Sequence, residues 1–256
     1  MPFDFAKPSS LISFLADTCR VGANDIVLDF FAGSASTAHG ILTKNLIDGL
    51  DRKFILVQLP EPCDAESDKY KAGYATIAEI SKERIRRVIA KIKQEQAEKA
   101  AKTALEIFQT EPPPALDLGF KVYKLQPSHF KIWDNRLEKD PSVLELKLND
   151  HIAHLAPEAE QEGILYELLL KSGFELTTAI DALTLAEKTV FSIADGQLLI
   201  CLEKQLTHAV IKAMAERQPT RVICLDEAFT GANADALKTN AVQIMKSKGV
   251  VNFRTV

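Results

Sequence analysis

An acidic residue stands between an apolar run and a glycine loop near the start of the chain. The stretch DIVLDFFAGSAST covers residues 25–37, with Asp29 closing the apolar run and Gly33 in the loop. Glycine lets the backbone turn tightly and approach a ligand without a clashing Cβ atom. A helix that follows such a loop presents free N–H groups toward the same crevice. This order predicts a ligand site at the carboxyl end of a parallel strand.

Asp29 indicates which ligand class would fit there. A carboxylate at a strand end suits a cationic or amine-bearing ligand, or ribose hydroxyls, better than a pyrophosphate. The loop holds a single glycine and so departs from the GxGxxG pattern of NAD-binding folds. These features favour S-adenosylmethionine over NAD. A plain strand–turn–helix with an incidental acid gives the same pattern.

The elements around the loop predict a βαβ unit. A first amphipathic helix, KPSSLISFLADTC, has Ser9 or Ser10 as its cap, and one face carries Leu11, Phe14, Leu15 and Cys19. DIVLDF is a continuous apolar run and predicts a strand buried on both faces. SASTAHGILTKNLIDG predicts the crossover helix, ending near Gly49, and RKFILVQL predicts the second strand.

A long helix is predicted from Tyr74 to about Phe108. Its apolar residues recur at helical spacing on one face, namely Ile77, Ile80, Ile85, Val88, Ile89 and Ile92. Between Ser81 and Thr103 stand eight basic and three acidic residues. Such a run is typical of a solvated helix face, and its basic surplus also allows contacts with nucleic-acid phosphates, for which the candidates are Arg84, Arg86 and Arg87.

The second half repeats an α/β pattern. EPPPALDLG predicts a linker, GFKVYKL a strand that returns to the sheet, and SHFKIWD a neighbour beside it. Helices are predicted over VLELKLNDHIAHL and EAEQEGILYELLLKSG, followed by a hairpin that turns at Asp195-Gly196. The predicted fold class is therefore α/β, with a partial Rossmann-like domain over residues 1–138 and a smaller α/β domain over 139–256.

Composition limits the remaining classes. With 46% hydrophobic residues, 26% charged residues and a net charge of −4, the 256-residue chain is globular and carries no overall basic bias toward nucleic acid. No apolar run is long enough for a membrane span, and the start does not resemble a signal peptide. The cysteines lack CxxC spacing, which predicts small buried thiols in a reducing cytoplasm. His151 and His154 have no third ligand nearby, so we expect no metal site.

Several segments resemble one protein family in the family's own order. VLDFFAGSAST resembles motif I of the β-group amino DNA methyltransferases, and FDFAKP resembles their motif X. RKFILVQLPEP, AGYATIAEISKERIRRV, and GFKVYKL with FKIW resemble the modification (Mod) subunits of type III restriction–modification systems. ILYELLLKSGFELTT, CLDEAF, and LKTNAVQ with FRTV resemble the Mod C-terminus. The resemblance covers nearly the whole chain.

The resemblance implies adenine-N6 methylation of DNA with S-adenosylmethionine, on a base flipped out of the duplex. It assigns cofactor contacts to three segments. The motif X positions are Phe5, Lys7 and Pro8. The loop positions are Asp29, Phe30, Phe31, Gly33, Ser34 and Ser36. Near the end of the second strand, Gln58 and Glu61 take the place of the acid that often binds ribose.

Two departures from the family pattern bear on activity. The family's second loop glycine is Ala35 here; if that position needs a positive φ the methyl group costs about 1 kcal/mol, and if it is helical alanine is tolerated. The catalytic Asp-Pro-Pro-Tyr motif is absent from the sequence, and EPPP at residues 111–114 lacks the aromatic residue. In the family's order, that motif and the target-recognition domain precede motif X. We therefore expect the C-terminal portion of a Mod subunit that is inactive alone.

The implied partners follow from this expectation. They are the N-terminal half of Mod or intact Mod, the restriction (Res) subunit, DNA through the assembled enzyme, and a second copy through the C-terminal domain. One alternative is a half-enzyme completed by a separate chain. Another is an interaction protein without catalysis that binds Mod or restriction subunits.

Overall fold

The computed structural model describes residues 6–103, 116–131 and 154–256. The chain divides into two compact units, residues 1–120 and 121–256. The predicted boundary between residues 138 and 139 lies outside the described residues, as do residues 111–115 of the predicted linker over 111–119 and most of the predicted helix over VLELKLNDHIAHL. Both units combine helices with sheets, so the α/β class is confirmed.

Unit 1 is built around the predicted βαβ element. Strand β1 (Ile26–Asp29) leads through the glycine loop into α2 (Ser36–Asp48), and β2 (Lys53–Leu56) returns parallel to β1. Helix α1 (Ser9–Thr18) precedes this element. The short α3 (Asp68–Lys71) and the long α4 (Ile77–Thr103) follow it.

The core of unit 1 lies between α2 and α4. The buried side chains from the start and middle of α2 meet the predicted stripe of α4, and the cluster consists of Ala35, Ala38, Leu42, Ile85, Val88 and Ile92. Because a helix repeats every 3.6 residues, Ile85, Val88 and Ile92 lie on one face of α4 and meet α2 together. The predicted apolar face of α4 is confirmed.

The two strands of unit 1 are open on one face. Ile26 and Leu28 of β1 are 57% and 59% exposed, and Ile55 of β2 is half exposed. The prediction that β1 is buried on both faces is therefore wrong. An apolar run shows that a strand can be covered on both sides. Its actual burial depends on which elements pack against it, and the described residues cover only one side of these strands.

Helix α1 packs in a way that the sequence did not indicate. Its N-cap is Pro8, with no side-chain cap, so the prediction of Ser9 or Ser10 as the cap is wrong. The predicted apolar face is also wrong, since Leu11, Phe14, Leu15 and Cys19 are exposed. The contact with α2 is instead made at Gly40, where an added Cβ atom would lie 2.7 Å from the Ile12 Cβ atom and 2.8 Å from the Ser9 carbonyl oxygen.

Unit 2 contains a five-stranded mixed sheet. The strands are β3 (Ile180–Leu185), β4 (Lys188–Ile193), β5 (Leu198–Cys201), β6 (Arg221–Cys224) and β7 (Asn252–Thr255), and they lie side by side in chain order. Strand β4 is antiparallel to both of its neighbours, β3 and β5, whereas β5, β6 and β7 are parallel. The helices are α5 (Gln161–Lys171), α6 (His208–Glu216) and α7 (Ala234–Ser247), of which α6 and α7 are the crossovers of the parallel part.

Some predictions for unit 2 need correction. The hairpin at Asp195-Gly196 exists, but four residues, 194–197, separate the paired strand ends. Residues 119–125 form no strand, and the described part of the segment after them, which ends at residue 131, makes one isolated bridge, between Phe130 and Leu155. Strand β3 was not predicted. It joins β4 through Ala186 and Glu187, both at positive φ.

The cysteine prediction holds for three of four residues. Cys63, Cys201 and Cys224 are buried, and burial raises the pKa of the Cys201 and Cys224 thiols, whereas Cys19 is exposed. Among the described residues, no helix is both long and apolar enough to cross a membrane.

Gly40 provides a test of the α1–α2 contact. Alanine in mid-helix normally gains about 1 kcal/mol over glycine. Here the added methyl group would overlap Ile12 and the backbone of Ser9, and overpacking of this kind costs about 1–3 kcal/mol. We expect Gly40→Ala to lower the free energy of unfolding by about 1 kcal/mol in urea denaturation followed by circular dichroism. Ile47→Ala, on the exposed side of α2, is the control, and a stabilised Gly40→Ala would contradict the contact.

Candidate functional site

The glycine loop turns the chain from β1 into α2 within six residues. Two of its residues adopt the left-handed region, Gly33 at φ 51° and Ala35 at φ 60°. Ala35 is also the N-cap of α2, with no side-chain hydrogen bond. Of the two alternatives for position 35, the positive φ is the observed one, so alanine is strained there by about 1 kcal/mol. Its methyl group is fully buried in the α2–α4 core and does not face solvent.

Asp29 holds the loop from the strand side. One carboxylate oxygen accepts the Phe31 N–H at 3.0 Å, and the other accepts the Thr37 hydroxyl at 2.6 Å. Both ends of the turn are thereby fixed to one side chain, as carboxylates do in the tight turns that they stabilise. An interaction of this carboxylate with a ligand amine stays a prediction.

Gln58 holds the loop from the second strand. Its Oε1 accepts the Gly33 N–H at 2.8 Å, and the neighbouring Val57 carbonyl accepts the Ala32 N–H at 3.1 Å. The side chain at the position predicted to bind ribose thus already has a partner in the loop. Glu61, three residues further on, has an exposed side chain, and its carbonyl accepts the Ile77 N–H at 3.0 Å at the start of α4.

Helix α4 holds the loop from a third side. The Ser81 hydroxyl donates to the Gly33 carbonyl. The guanidinium of Arg84 donates to the Ser34 hydroxyl at 2.7 Å, the Ser36 hydroxyl at 2.9 Å and the Ser34 carbonyl at 3.3 Å.

This contact set separates the three basic candidates. Arg84 points into the loop, and Arg87 pairs with Glu83 at 2.7 Å. Arg86 is exposed and has no ion-pair or hydrogen-bond partner among the described residues. A nucleic-acid contact by these residues stays a prediction, and Arg86 is the one whose side chain is free to make it.

The segment before α1 also reaches the loop. The Ser36 hydroxyl donates to the Lys7 carbonyl at 2.9 Å, which brings the predicted motif X positions Lys7 and Pro8 beside the predicted motif I. Phe5 lies outside the described residues. Phe30 and Phe31 are mostly exposed, with ring centroids 5.1 Å apart. The two rings form an apolar surface beside the loop.

His39 completes the polar cluster below the loop. Its Nδ1 lies 3.2 Å from an Arg84 nitrogen, and since arginine only donates, this nitrogen accepts and must be unprotonated. Burial, followed by the charges of Arg84 and Lys91, lowers the pKa of His39. Burial also lowers the pKa of Arg84, which remains charged at neutral pH.

Sequence reasoning missed Thr37, His39 and Ser81 and gave Arg84 a different role. A signal existed for two of them. Ser81 and Arg84 fall on the same helical period as the apolar stripe of α4, so they had to face α2 and the loop. Among the described residues, no group of three or more His, Cys, Asp or Glu side chains is placed to hold a metal ion.

Comparison with known proteins gives three informative relatives. The Mod subunit of the Escherichia coli type III restriction–modification enzyme EcoP15I is 32% identical over 248 residues, which are 93% of this chain and 32% of that protein. The Mod subunit of the Salmonella typhimurium type III enzyme StyLTI is 38% identical over 122 residues, 48% of this chain and 16% of that protein. The type II methyltransferase M.KpnI of Klebsiella pneumoniae is 35% identical over 83 residues, 32% of this chain and 20% of that protein. No protein-family model matches the chain.

Ala35 provides a test of the loop strain. Glycine would relieve about 1 kcal/mol of left-handed strain but would also remove a buried methyl group worth about 0.8 kcal/mol. We therefore expect Ala35→Gly to change the free energy of unfolding by less than about 1 kcal/mol in urea denaturation. The control is Arg20, exposed at φ 54°, where Arg20→Gly relieves strain without losing burial and should stabilise by about 0.5–1 kcal/mol. If Ala35→Gly lowered the free energy of unfolding by more than about 2 kcal/mol, that result would contradict backbone strain at Ala35.

His39 predicts a pH dependence of stability. Because its pKa is lower in the folded chain than its usual value of about 6.5, the unfolded chain binds more protons as the pH falls. The contribution of neutral His39 to the free energy of unfolding is complete above pH 6.5 and is lost as the pH drops below this value. We expect urea titrations at pH 7.5 and pH 5.5 to show a smaller pH effect in His39→Gln than in the unmodified chain. An equal effect in both would exclude His39 as its source.

Proposed function

Since the chain is similar over almost its whole length to type III restriction–modification Mod subunits, we propose that it is the cofactor-loop part of a DNA adenine-N6 methyltransferase of this class. The chain spans about a third of the length of the EcoP15I Mod subunit. The observation that carries the proposal is the loop over residues 29–36, where a resemblance in sequence coincides with a turn fixed from β1, β2 and α4. The partial Rossmann-like character of unit 1 belongs to the same proposal.

The residues of the loop fit S-adenosylmethionine in several respects. The left-handed Gly33 has no side chain in the way of a ligand, and the first turn of α2 has N–H groups without helical partners. Phe31 is 81% exposed beside this turn and offers an apolar face. We assign the cofactor to the loop residues 29–36, to Lys7 and Pro8, and to Glu61. When bound, S-adenosylmethionine would supply the methyl group for transfer.

The open face of unit 1 supports the need for a further segment. Besides the exposed strand residues Ile26, Leu28 and Ile55, exposed apolar side chains follow both strands, namely Phe30, Phe31, Val57 and Leu59, and further ones lie on α1 at Leu11, Phe14 and Leu15. Exposed apolar surface on this scale marks an interaction site. We propose that it receives the part of Mod that carries the catalytic motif, either in the same subunit or as a separate chain, and that this chain alone does not methylate DNA.

The remaining partners are proposed from the same relatives. The assembled enzyme would hold DNA with a base flipped out and would act with a Res subunit, with unit 2 available for self-assembly. Arg86 is the residue of this chain that we assign to DNA phosphates. It shares one helical face with Lys82 and Lys93, which likewise form no ion pair with the described residues.

A second candidate function is an interaction protein without catalysis. The same open face favours it, because a surface that binds the missing part of Mod would also bind intact Mod or a restriction subunit and occupy it. Cofactor binding discriminates between the two proposals, since an interaction protein has no use for the loop.

The test is binding of S-adenosylhomocysteine to the purified chain by calorimetry. We expect one saturable site that Phe31→Ala weakens about tenfold, because an aromatic contact worth about 1.4 kcal/mol corresponds to a factor of ten in affinity. Leu125→Ala, at a fully exposed position of unit 2, is the control and should leave the affinity unchanged.

Methyl transfer is measured in parallel. With labelled S-adenosylmethionine and adenine-containing duplex DNA, we expect no incorporation by the chain alone and incorporation after co-expression with a Mod segment that carries the catalytic motif. Incorporation by the chain alone would overturn the proposed need for that segment. Absence of cofactor binding, with co-purification of Mod or Res, would favour the interaction protein.

A further inference from the structure

We propose that Arg84 of α4 is a positioning residue that sets the shape of the glycine loop for its ligand. The proposal rests on the cofactor site proposed above. It goes beyond it because Arg84 stands fifty residues after Ser34 in the sequence, on a basic helix run that the sequence left open between a solvated face and a nucleic-acid contact.

The hydrogen bonds of Arg84 define its role. Its guanidinium donates to the Ser34 carbonyl, to the Ser34 and Ser36 hydroxyls, and to His39 Nδ1. Each acceptor belongs to the loop or to the first turns of α2. Arg84 therefore acts through the loop that would contact a ligand, which makes it a positioning residue.

The charge of Arg84 makes these contacts difficult to replace. Within the described residues, no carboxylate lies within ion-pair distance of the guanidinium, and the side chain is partly buried. A partly buried cation without a counter-ion is costly unless neutral acceptors satisfy it. The Ser34 carbonyl that accepts from Arg84 stands between two left-handed residues, Gly33 and Ala35. The guanidinium and the strained turn thus stabilise each other.

The geometry explains why arginine is suited to this position. The planar guanidinium presents several donors in fixed directions and can bind Ser34, Ser36 and His39 together. A lysine ammonium keeps the charge but offers one compact donor group on a flexible stem. Arg84→Lys therefore separates the effect of charge from that of shape, while Arg84→Gln removes both.

Hydrogen–deuterium exchange of the unliganded full chain tests the inference directly. The loop N–H groups of Phe31, Ala32, Gly33 and Ala35 all have acceptors in the structure. We expect them to exchange at least tenfold faster in Arg84→Gln and to an intermediate extent in Arg84→Lys. The matched control is Arg86→Gln, which removes the same charge two residues away and should exchange as the unmodified chain does. The last turns of α2 and the described part of unit 2 should not change in any variant.

Ligand affinity is the second measurement. We expect the dissociation constant of S-adenosylhomocysteine to rise at least tenfold in Arg84→Gln and to stay unchanged in Arg86→Gln. Three results would each overturn the inference: loop exchange in Arg84→Gln equal to that in Arg86→Gln, equal acceleration throughout unit 1, or faster loop exchange without loss of affinity. An Arg84→Lys variant with the loop exchange and the affinity of the unmodified chain would also overturn the inference, because the positive charge alone would then be enough to hold the loop.

The two proposals fail in distinguishable ways. If the unmodified chain and its complex with a catalytic Mod segment bind no S-adenosyl ligand, the proposed cofactor fails, and with it the role of Arg84 toward that ligand. The hydrogen–deuterium exchange measurement still decides whether Arg84 shapes the loop.

Discussion

The structure of unit 1 depends on a turn whose backbone conformation is intrinsically unfavourable. From Asp29 to Ser36 the backbone must leave a strand and begin a helix, and it does so with left-handed residues at Gly33 and Ala35. Alanine gives up about 1 kcal/mol in that conformation. The turn persists because the Asp29 carboxylate of β1, the side-chain amide of Gln58 just after β2 and the Arg84 guanidinium of α4 each satisfy part of its backbone.

Helix α4 combines two tasks that follow from one helical period. Its apolar residues Ile85, Val88 and Ile92 build the core with α2, and the same face carries Ser81 and Arg84 one to two turns earlier. Core packing fixes the rotation of the helix about its axis. That rotation in turn aims both polar side chains at the loop, so the apolar core and the site geometry are not independent.

Sequence reasoning predicted the elements of unit 1 better than their surroundings. The βαβ unit, the apolar stripe of α4 and the helix end at Gly49 were found because periodicity and glycine placement are local signals. The exposure of β1 was not predicted, because the burial of a strand depends on which elements pack against it. Likewise, the β3–β4 turn was not predicted, because it has Ala186 and Glu187 at positive φ, and neither alanine nor glutamate is typical of such a turn. At the site, Asp29 and Gly33 were predicted from the loop pattern. The helical period of α4 indicated which face carries Arg84, but it could not specify Ser34, fifty residues away, as the hydrogen-bond partner.

The two sides of the loop differ in what the chain itself supplies. Below the loop, α2 and α4 form a closed apolar core whose polar edge is satisfied by Arg84, His39 and the serines. On the other side, β1 and the phenylalanines present open apolar surface. A segment that covers this surface would therefore meet a turn whose hydrogen bonds are already made within residues 7–84. Hydrogen bonds within this chain set the shape of the turn, and in the proposed assembly a partner segment would cover the open apolar surface beside it.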